Sequence, residues 1–363
     1  MSFKTEILAD SLNPQGDRIT TMKITFPRFI LAEFNTHRMF SRNSASSRAI
    51  PFNKMVKMVQ ENPFIPIAWQ KDHKGMQGTE YFTDEMSSVV DGHYPDALRE
   101  LERNWLKGRD KAVETAVRLN ELNLTKQLCN RLLEPFMWHT VIVTATEFEN
   151  FFNLRCPQYQ ARNYEVYKSK KDFITDNQFN TEAQVLPDYT NIVDWLKLNK
   201  SQAEIHIQAI AELMWDAMNE NTPKQLKAGE WHIPFGDNID ENPKIRTELE
   251  ILSNKIYHTS IADSGDMEML KVKIATARCA RISYQTLGDN PKIDYESDIR
   301  LHDILVNNGH ASPLEHCARA MDRGEYAFSF YKGALTETNK DKDNSGWCRN
   351  FKGFIQYRHL VEV

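Results

Sequence analysis

Sixteen consecutive residues, Thr36 to Pro51 (THRMFSRNSASSRAIP), crowd His37, Arg38, Ser41, Arg42, Asn43, Ser44, Ser46, Ser47 and Arg48 together with almost no apolar filler. Just upstream, Ile24 to Phe34 (ITFPRFILAEF) reads as a strand running into the core. A cationic, hydroxyl-rich segment at the mouth of a buried strand suits a phosphate or another anion. Arginine offers a planar fork of donors matched to phosphate oxygens, and serine offers short neutral donors between the forks. The plainer alternative is a solvated loop in which Ser41 or Ser46 caps a helix.

Composition narrows the classes. A chain of 363 residues exceeds the usual single-domain size but fits one large domain with insertions. A formal charge of -5 gives no general attraction to nucleic acid or to an anionic membrane, so any anion site is a local concentration of arginine. The five cysteines are widely spaced, with no CxxC pair and no Cys/His cluster, so no metal centre is expected and a reduced, cytoplasmic chain is the simplest reading. The opening MSFKTEILADSLNP lacks the apolar run of a signal peptide, and no stretch reads as a membrane span.

Residues 4 to 10 and 18 to 26 alternate as strands around the turn Asn13-Pro14-Gln15-Gly16, which predicts a hairpin. Helical spacing follows over Phe52 to Asn62, Leu98 to Leu122 and, behind a Thr125 cap, Lys126 to Glu134. Residues 66 to 96 are loop-like, long enough for a lid or a subunit contact. Phe136 to Arg155 (FMWHTVIVTATEFENFFNLR) is the most apolar long segment. Its β-branched run allows a strand, but the pattern over the whole length favours a buried helix. An arginine closing such a segment needs an anion: a neighbouring carboxylate, or a ligand anion or carbonyl. Residues 157 to 200 read as an insertion whose charges form a solvated face. Ser201 to Glu220 returns to a helix, and Trp231 to Phe235 is an aromatic turn in which His232 is structural. Asp266 to Tyr284 and Asp298 to Asn307 read as helices, the second stopped by Asn308-Gly309. Residues 322 to 346 look loop-rich.

The Arg/Ser stretch resembles the signature R-H-R-x-x-S-x-N-x-x-S-x-R-Y of the flavin-dependent thymidylate synthases (ThyX). His37, Arg38, Ser41, Asn43, Ser46 and Arg48 match in register, whereas Thr36, Ser44 and Ala49 depart. Further stretches are similar to the same family. Ala280 to Tyr284 (ARISY) resembles its A-R-x-S-Y, and Gly309 to His316 (GHASPLEH) its G-H-x-S/T-P-F-E-H. Lys126 to Pro135 and Phe148 to Arg155 resemble its two arginine-bearing helices. The order is rotated. The family's opening motifs close this chain, which therefore resembles a circularly permuted, phage-type variant. Residues 1–235 would carry the signature and the nucleotide-binding helices, 266–363 the family's N-terminal motifs, all within one catalytic domain, 1–363. The implied fold is α+β, a mixed α/β fold with a central antiparallel-rich sheet and long buried helices. Motifs from the two ends of the chain should meet in space.

The resemblance also implies roles. Ser46, Arg48 and Arg131 match the positions that hold the dUMP phosphate, and Arg155 the one at the pyrimidine ring. Glu33 stands where the family places a glutamine near the nucleotide. Arg155 and Ser46 are thus the residues expected nearest the chemistry. His37, Arg38, Asn43, Asn150, Ser283, Ser312 and Glu315 match flavin-contacting positions, and His310 the residue stacked near folate and flavin. No cysteine is implied as nucleophile. Thr36, Thr144 and Thr146 replace an arginine, an asparagine and an arginine on the flavin side. The implied reaction is thymidylate synthesis from dUMP with FAD, NADPH and methylenetetrahydrofolate, in a homotetramer with shared active sites, and with neither a nucleic-acid nor a membrane partner. The alternatives are C5 hydroxymethylation or another modification of a pyrimidine nucleotide, which needs no reductant, and a nucleotide-binding protein without catalysis.

Overall fold

The computed structural model describes residues 2–75, 78, 80–83, 97–177, 187–236, 239, 247, 250–251, 264–282, 294–331, 334–337 and 345–361. The expected hairpin opens it. Strands β1 (Lys4–Leu12) and β2 (Arg18–Pro27) pair antiparallel from Lys4↔Thr25 to Leu12↔Arg18. The turn is closed by Asn13, whose side-chain oxygen accepts from the backbone N–H groups of Gln15 and Asp17, and by Gly16 at φ +91°.

Strand β2 does not run on to Phe34 as the apolar pattern suggested. Pro27 has its φ fixed at -62° and has no N–H to donate, and the chain turns there into a 3-10 turn, Arg28–Ile30, and a helical turn, Leu31–Phe34. The Arg/Ser stretch that follows includes a short strand, β3 (Ser41–Ser44). Then come helices α1 (Phe52–Glu61) and α2 (Ala97–Glu121) and a 3-10 helix, Asn130–Phe136.

The largest difference from the sequence reading lies in Phe136 to Arg155. It is not one buried helix but strand β4 (Trp138–Ala145) followed by helix α3 (Glu149–Arg155). Strand β4 is central, paired with β2 on one side and β3 on the other. Both of its faces are covered, so the alternation that marks a strand is missing, and only the β-branched run Thr140–Thr144 signals it. Further along are α4 (Ile205–Glu220), β5 (Lys224–Gln225), β6 (Trp231–His232), α5 (Ser264–Arg281), α6 (Tyr295–Asn307), β7 (Ala318–Ala320) and β8 (Phe354–Gln356).

The main sheet runs β3-β4-β2-β1-β5, antiparallel except for the β1–β5 pair. This is the antiparallel-rich sheet of an α+β fold. One face packs Met22, Ile24, Val141, Val143 and Phe151 against Ile207, Ile210, Ala211 and Met214 of α4. The other sets Ile142 against Cys279 and Ile282 at the end of α5. Burying one such side chain contributes on the order of 1.5–3 kcal/mol. Helix α5 is the long buried helix. Helix α2 buries only Val113 and Ala116 fully and is a surface helix.

Three other segments depart from expectation. In residues 157–200 the charges are not merely solvated: Lys168 lies 4.5 Å over the Trp215 ring, and the Lys170 backbone N–H donates to Glu212 at 2.7 Å, docking the segment on α4. Trp231 and His232 form β6, joining β7 and β8 in a three-stranded sheet. Within 322–346 the described residues include a capped helical turn, Arg323–Tyr326, and the paired strands Phe328–Tyr331 and Ala334–Glu337. Among the described residues no helix is long and apolar enough to cross a membrane.

Candidate active site

Beyond β3 the chain makes a tight turn, with the Ala49 N–H donating to the Ser46 carbonyl at 3.0 Å. The turn is tied to the 3-10 helix Asn130–Phe136. The Asn130 amide donates to the Ser47 and Ile50 carbonyls at 2.7 and 2.9 Å, and the Ser47 hydroxyl donates to Glu134 at 2.5 Å. Thr125 starts this helical stretch by accepting from the Gln127 N–H, as its sequence position suggests. The docking leaves Ser46 half-buried and the guanidinium groups of Arg48 and Arg131 in solvent, without a partner among the described residues. Glu134 does not neutralise them: it holds Ser47 and lies 3.7 Å from Arg28.

A second group forms at the other end of β3. Phe34, Phe40 and Phe151 pack around His37, whose ring meets Phe151 edge-on at 4.8 Å. The Arg155 Nε donates to His37 Nε2 at 3.1 Å, and its Nη2 reaches the Thr36 hydroxyl at 3.5 Å. Burial, reinforced by Arg155 and Arg42, holds His37 down to about 4. The ring is therefore neutral near pH 7, and since Nε2 accepts, its proton sits on Nδ1. Among the described residues no carboxylate forms an ion pair with Arg155, so the carboxylate expected as the simpler partner for this cation is not there. On the helical turn just before Thr36, Glu33 Oε2 is buried with no hydrogen-bond partner. This end of β3 holds a donor without an anion and an acceptor without a donor. Arg38 is exposed nearby.

The inner face of β3 is different. Ser41 and Asn43 point to the same side, opposite Thr144 and Ile142 of β4. The Asn43 amide donates to the Cys279 carbonyl at 2.7 Å, and its oxygen accepts from the Ser312 hydroxyl at 3.0 Å. Ser41 accepts from Asn350 at 3.0 Å and from Gln356 at 3.3 Å. Thr144 lies between Thr21 at 2.7 Å and His316 at 2.8 Å, and His232 extends the row from Thr21 to Ser11. Burial holds both histidines neutral, near 3. Glu315 pairs with Arg358 at 2.5 Å, and the Thr146 hydroxyl accepts from the Lys352 N–H at 3.0 Å. Residues from both ends of the chain thus meet on one face of β3. Asn350 and Gln356 took no part in the sequence reading. Their segment is short and polar-aromatic, and nothing local marks its partner more than 300 residues away.

The flavin positions implied by the motifs divide accordingly. Arg38, Asn150 and His310 are exposed. Asn43, Ser312 and Glu315 are bonded within the chain, as are Thr36, Thr144 and Thr146 at the three substituted positions. Ser283 lies outside the described residues. This donor set does not fit a flavin laid along the inner face of β3. Among the described residues no group of three His, Cys, Asp or Glu side chains is placed to hold a metal ion.

No protein-family profile matches this chain, and no curated protein matches it in sequence. Solved structures to which it shows similarity include two of the UMP/dUMP methylase PolB from Streptomyces cacaoi. With the form bound to 5-Br dUMP, the TM-score is 0.33 at 16% identity, over 55% of this chain and 65% of that one. With the form bound to 5-Br UMP, it is 0.36 at 15% identity, over 60% and 88%.

Proposed function

We propose that this chain is a circularly permuted, ThyX-like enzyme that adds a one-carbon unit at C5 of a pyrimidine nucleotide, dUMP first. The observation that carries the reading is Arg155, a partly buried guanidinium held by a neutral imidazole and answered by no described carboxylate. A ring carbonyl there accepts from Arg155, and the cation stabilises the negative charge that gathers on oxygen as C5 becomes nucleophilic. The orphan Oε2 of Glu33 accepts a ring N–H. Neutral His37 sets the direction of the guanidinium without adding a competing charge. Ser46, Arg48 and Arg131 hold the phosphate, three donors on one dianion.

The two groups lie at opposite ends of β3, roughly 10 Å of extended strand apart. Exposed apolar side chains edge both: Met39 and Leu154 beside His37 and Arg155, Leu128 and Leu132 beside Arg131. This arrangement supports a site shared between copies of the chain, in a homotetramer, with phosphate held by one copy and ring by another.

In its fullest form the reaction is thymidylate synthesis, with methylenetetrahydrofolate as carbon donor and FAD with NADPH as reductant. A second reading, C5 hydroxymethylation, needs no reductant. It is favoured by the internal hydrogen bonds of Thr144 and Thr146. Release of tritium from 5-tritiated dUMP in the presence of methylenetetrahydrofolate tests both. Release that needs FAD and NADPH supports the synthase, and release without them supports hydroxymethylation. Release no faster than in buffer removes the enzymatic reading and leaves a nucleotide binder.

A further inference from the structure

The residues read as phosphate ligands come from two pieces of backbone. Ser46 and Arg48 lie on the turn after β3, and Arg131 lies on the 3-10 helix Asn130–Phe136. Each arginine has an inward neighbour in sequence. Ser47, beside Arg48, is 5% exposed, and Asn130, beside Arg131, is fully buried. These two inward side chains join the two pieces. Asn130 Nδ2 donates to the carbonyls of Ser47 and Ile50 at 2.7 and 2.9 Å, and Ser47 Oγ donates to Glu134 Oε1 at 2.5 Å. The Lys126 ammonium adds a bond to the Ala49 carbonyl at 3.2 Å. Asparagine and serine are short, so these bonds set the turn and the helix backbone against backbone.

Asn130 is there for its donors. Its Oδ1 is buried without a hydrogen-bond partner, an unfavourable arrangement that an apolar side chain would avoid. What the amide supplies is two N–H groups for two carbonyls that the turn leaves facing inward. Glu134 likewise looks away from Arg48 and Arg131. Its Oε1 takes Ser47, and its Oε2 lies 3.7 Å from Arg28 Nε. Arg28 is itself fixed, its backbone N–H donating to the Met137 carbonyl at 2.9 Å. Behind these bonds Ile50 of the turn packs with Cys129, Leu133 and Phe136 in one buried cluster. Turn and helix are thus a single unit that is complete without a ligand. An anion bound by Arg48 and Arg131 together has only two side chains left to immobilise, not the backbone that carries them.

We infer that Asn130, Ser47 and Glu134 are positioning residues that fix the spacing of Arg48 and Arg131, so that the phosphate site is preformed in the empty chain. None of the three touches the phosphate. The inference rests on the reading of Ser46, Arg48 and Arg131 as that site. Its sharpest consequence concerns charge. Glu134 is a carboxylate close to an anion site, so Coulomb repulsion alone says that removing it strengthens phosphate binding. As the group that holds Ser47, it does the opposite: its removal frees the turn and weakens phosphate binding.

The test uses the full chain. Calorimetry compares dUMP, deoxyuridine and inorganic phosphate on the wild type and on Ser47→Ala, Glu134→Ala, Glu134→Gln and Asn130→Ala. The ratio of dUMP to deoxyuridine affinity reads the phosphate contribution, and a variant that is merely less stable leaves it unchanged in the folded protein. Ser47→Ala, Glu134→Ala and Asn130→Ala should each lower the ratio by about fivefold or more, with deoxyuridine affinity within about twofold of the wild type. Glu134→Gln keeps an acceptor for the Ser47 hydroxyl and should hold the ratio within about twofold. A ratio that rises in both Glu134 variants reports a charge effect and overturns the positioning role. A ratio unchanged in every variant overturns it as well. Should Asn130→Ala fail to fold, Ser47→Ala and the two Glu134 variants decide. Inorganic phosphate separates this inference from the reading beneath it. Phosphate binding that falls in the same variants, with no binding of dUMP, supports the positioning role and removes the nucleotide reading. A wild type that binds neither overturns both.

Discussion

The two ends of β3 and its inner face solve opposite problems. At the ends, Arg48, Arg131 and Arg155 carry charge that no described carboxylate answers, and Glu33 keeps a buried oxygen without a donor. On the inner face Ser41, Asn43 and Thr144 are each bonded at least twice within the chain. A buried polar group left unanswered is costly, which applies to Glu33 and in part to Arg155, whereas the exposed Arg48 and Arg131 are hydrated. Polar groups bonded within the chain are structure, although His316 Nε2 and Gln356 Oε1 behind this face are buried without a partner. The same short strand thus separates a region that awaits a partner from one that has found it within its own sequence.

Substitution can sharpen or break that contrast. The largest effect on activity is expected at Arg155. Arg155→Ala should lower kcat/KM for C5 tritium release by about 100-fold or more, since a donor aimed at developing charge is lost. Urea unfolding should show a loss of about 1–3 kcal/mol as well, because the buried His37 Nε2 is left without its donor. Arg48→Ala and Arg131→Ala should each weaken dUMP binding by roughly tenfold, the scale of one hydrogen bond to a charged group, and the loss should shrink in high salt. Calorimetry at two salt concentrations checks both features. Asn43→Ala should behave in the reverse sense. Urea unfolding should show a loss of about 2 kcal/mol, because the buried Cys279 carbonyl is left without its donor, while the dUMP affinity of the folded protein stays within twofold. If Asn43→Ala instead spares stability and abolishes nucleotide binding, the division between the two regions is wrong.

Near neutral pH the smallest effect comes from the buried histidines. His139, His232 and His316 are held by burial near 3, so they remain neutral in the fold while the unfolded chain titrates near 6.5. Below 6.5 the unfolded state takes up protons that the folded state refuses. Each of the three then removes about 1.4 kcal/mol of stability per pH unit down to about pH 3. His37, held near 4, acts in the same direction over a narrower window. Urea midpoints should be flat above pH 7 and fall steeply from pH 6 to 5. A midpoint unchanged over that interval would mean that these rings are protonated in the fold.

The residues proposed here to hold a nucleotide are picked out in the sequence by local chemistry. An arginine- and serine-rich run beside a strand suits an anion or a solvated loop, and a lone arginine closing an aromatic segment suits a carboxylate or a ligand. The hairpin was legible for the same reason, since Asn13 and Gly16 carry their turn geometry with them. Strand β4 was not, because burial on both faces erases the period that separates strand from helix. The inner face of β3 was the hardest. Asn43 and Ser312 look like ligand contacts when read as motifs, and only the fold shows them bonded to each other. Asn350 and Gln356 act across more than 300 residues of sequence, a distance at which spacing carries no signal.

The most direct test is calorimetric titration of the full chain with dUMP, with deoxyuridine as the phosphate-free control. The account predicts saturable binding of dUMP that weakens by about 100-fold or more when the phosphate is absent, since two charge-assisted contacts from Arg48 and Arg131 are lost together. Equal affinity for the two, or no binding of either, would contradict it.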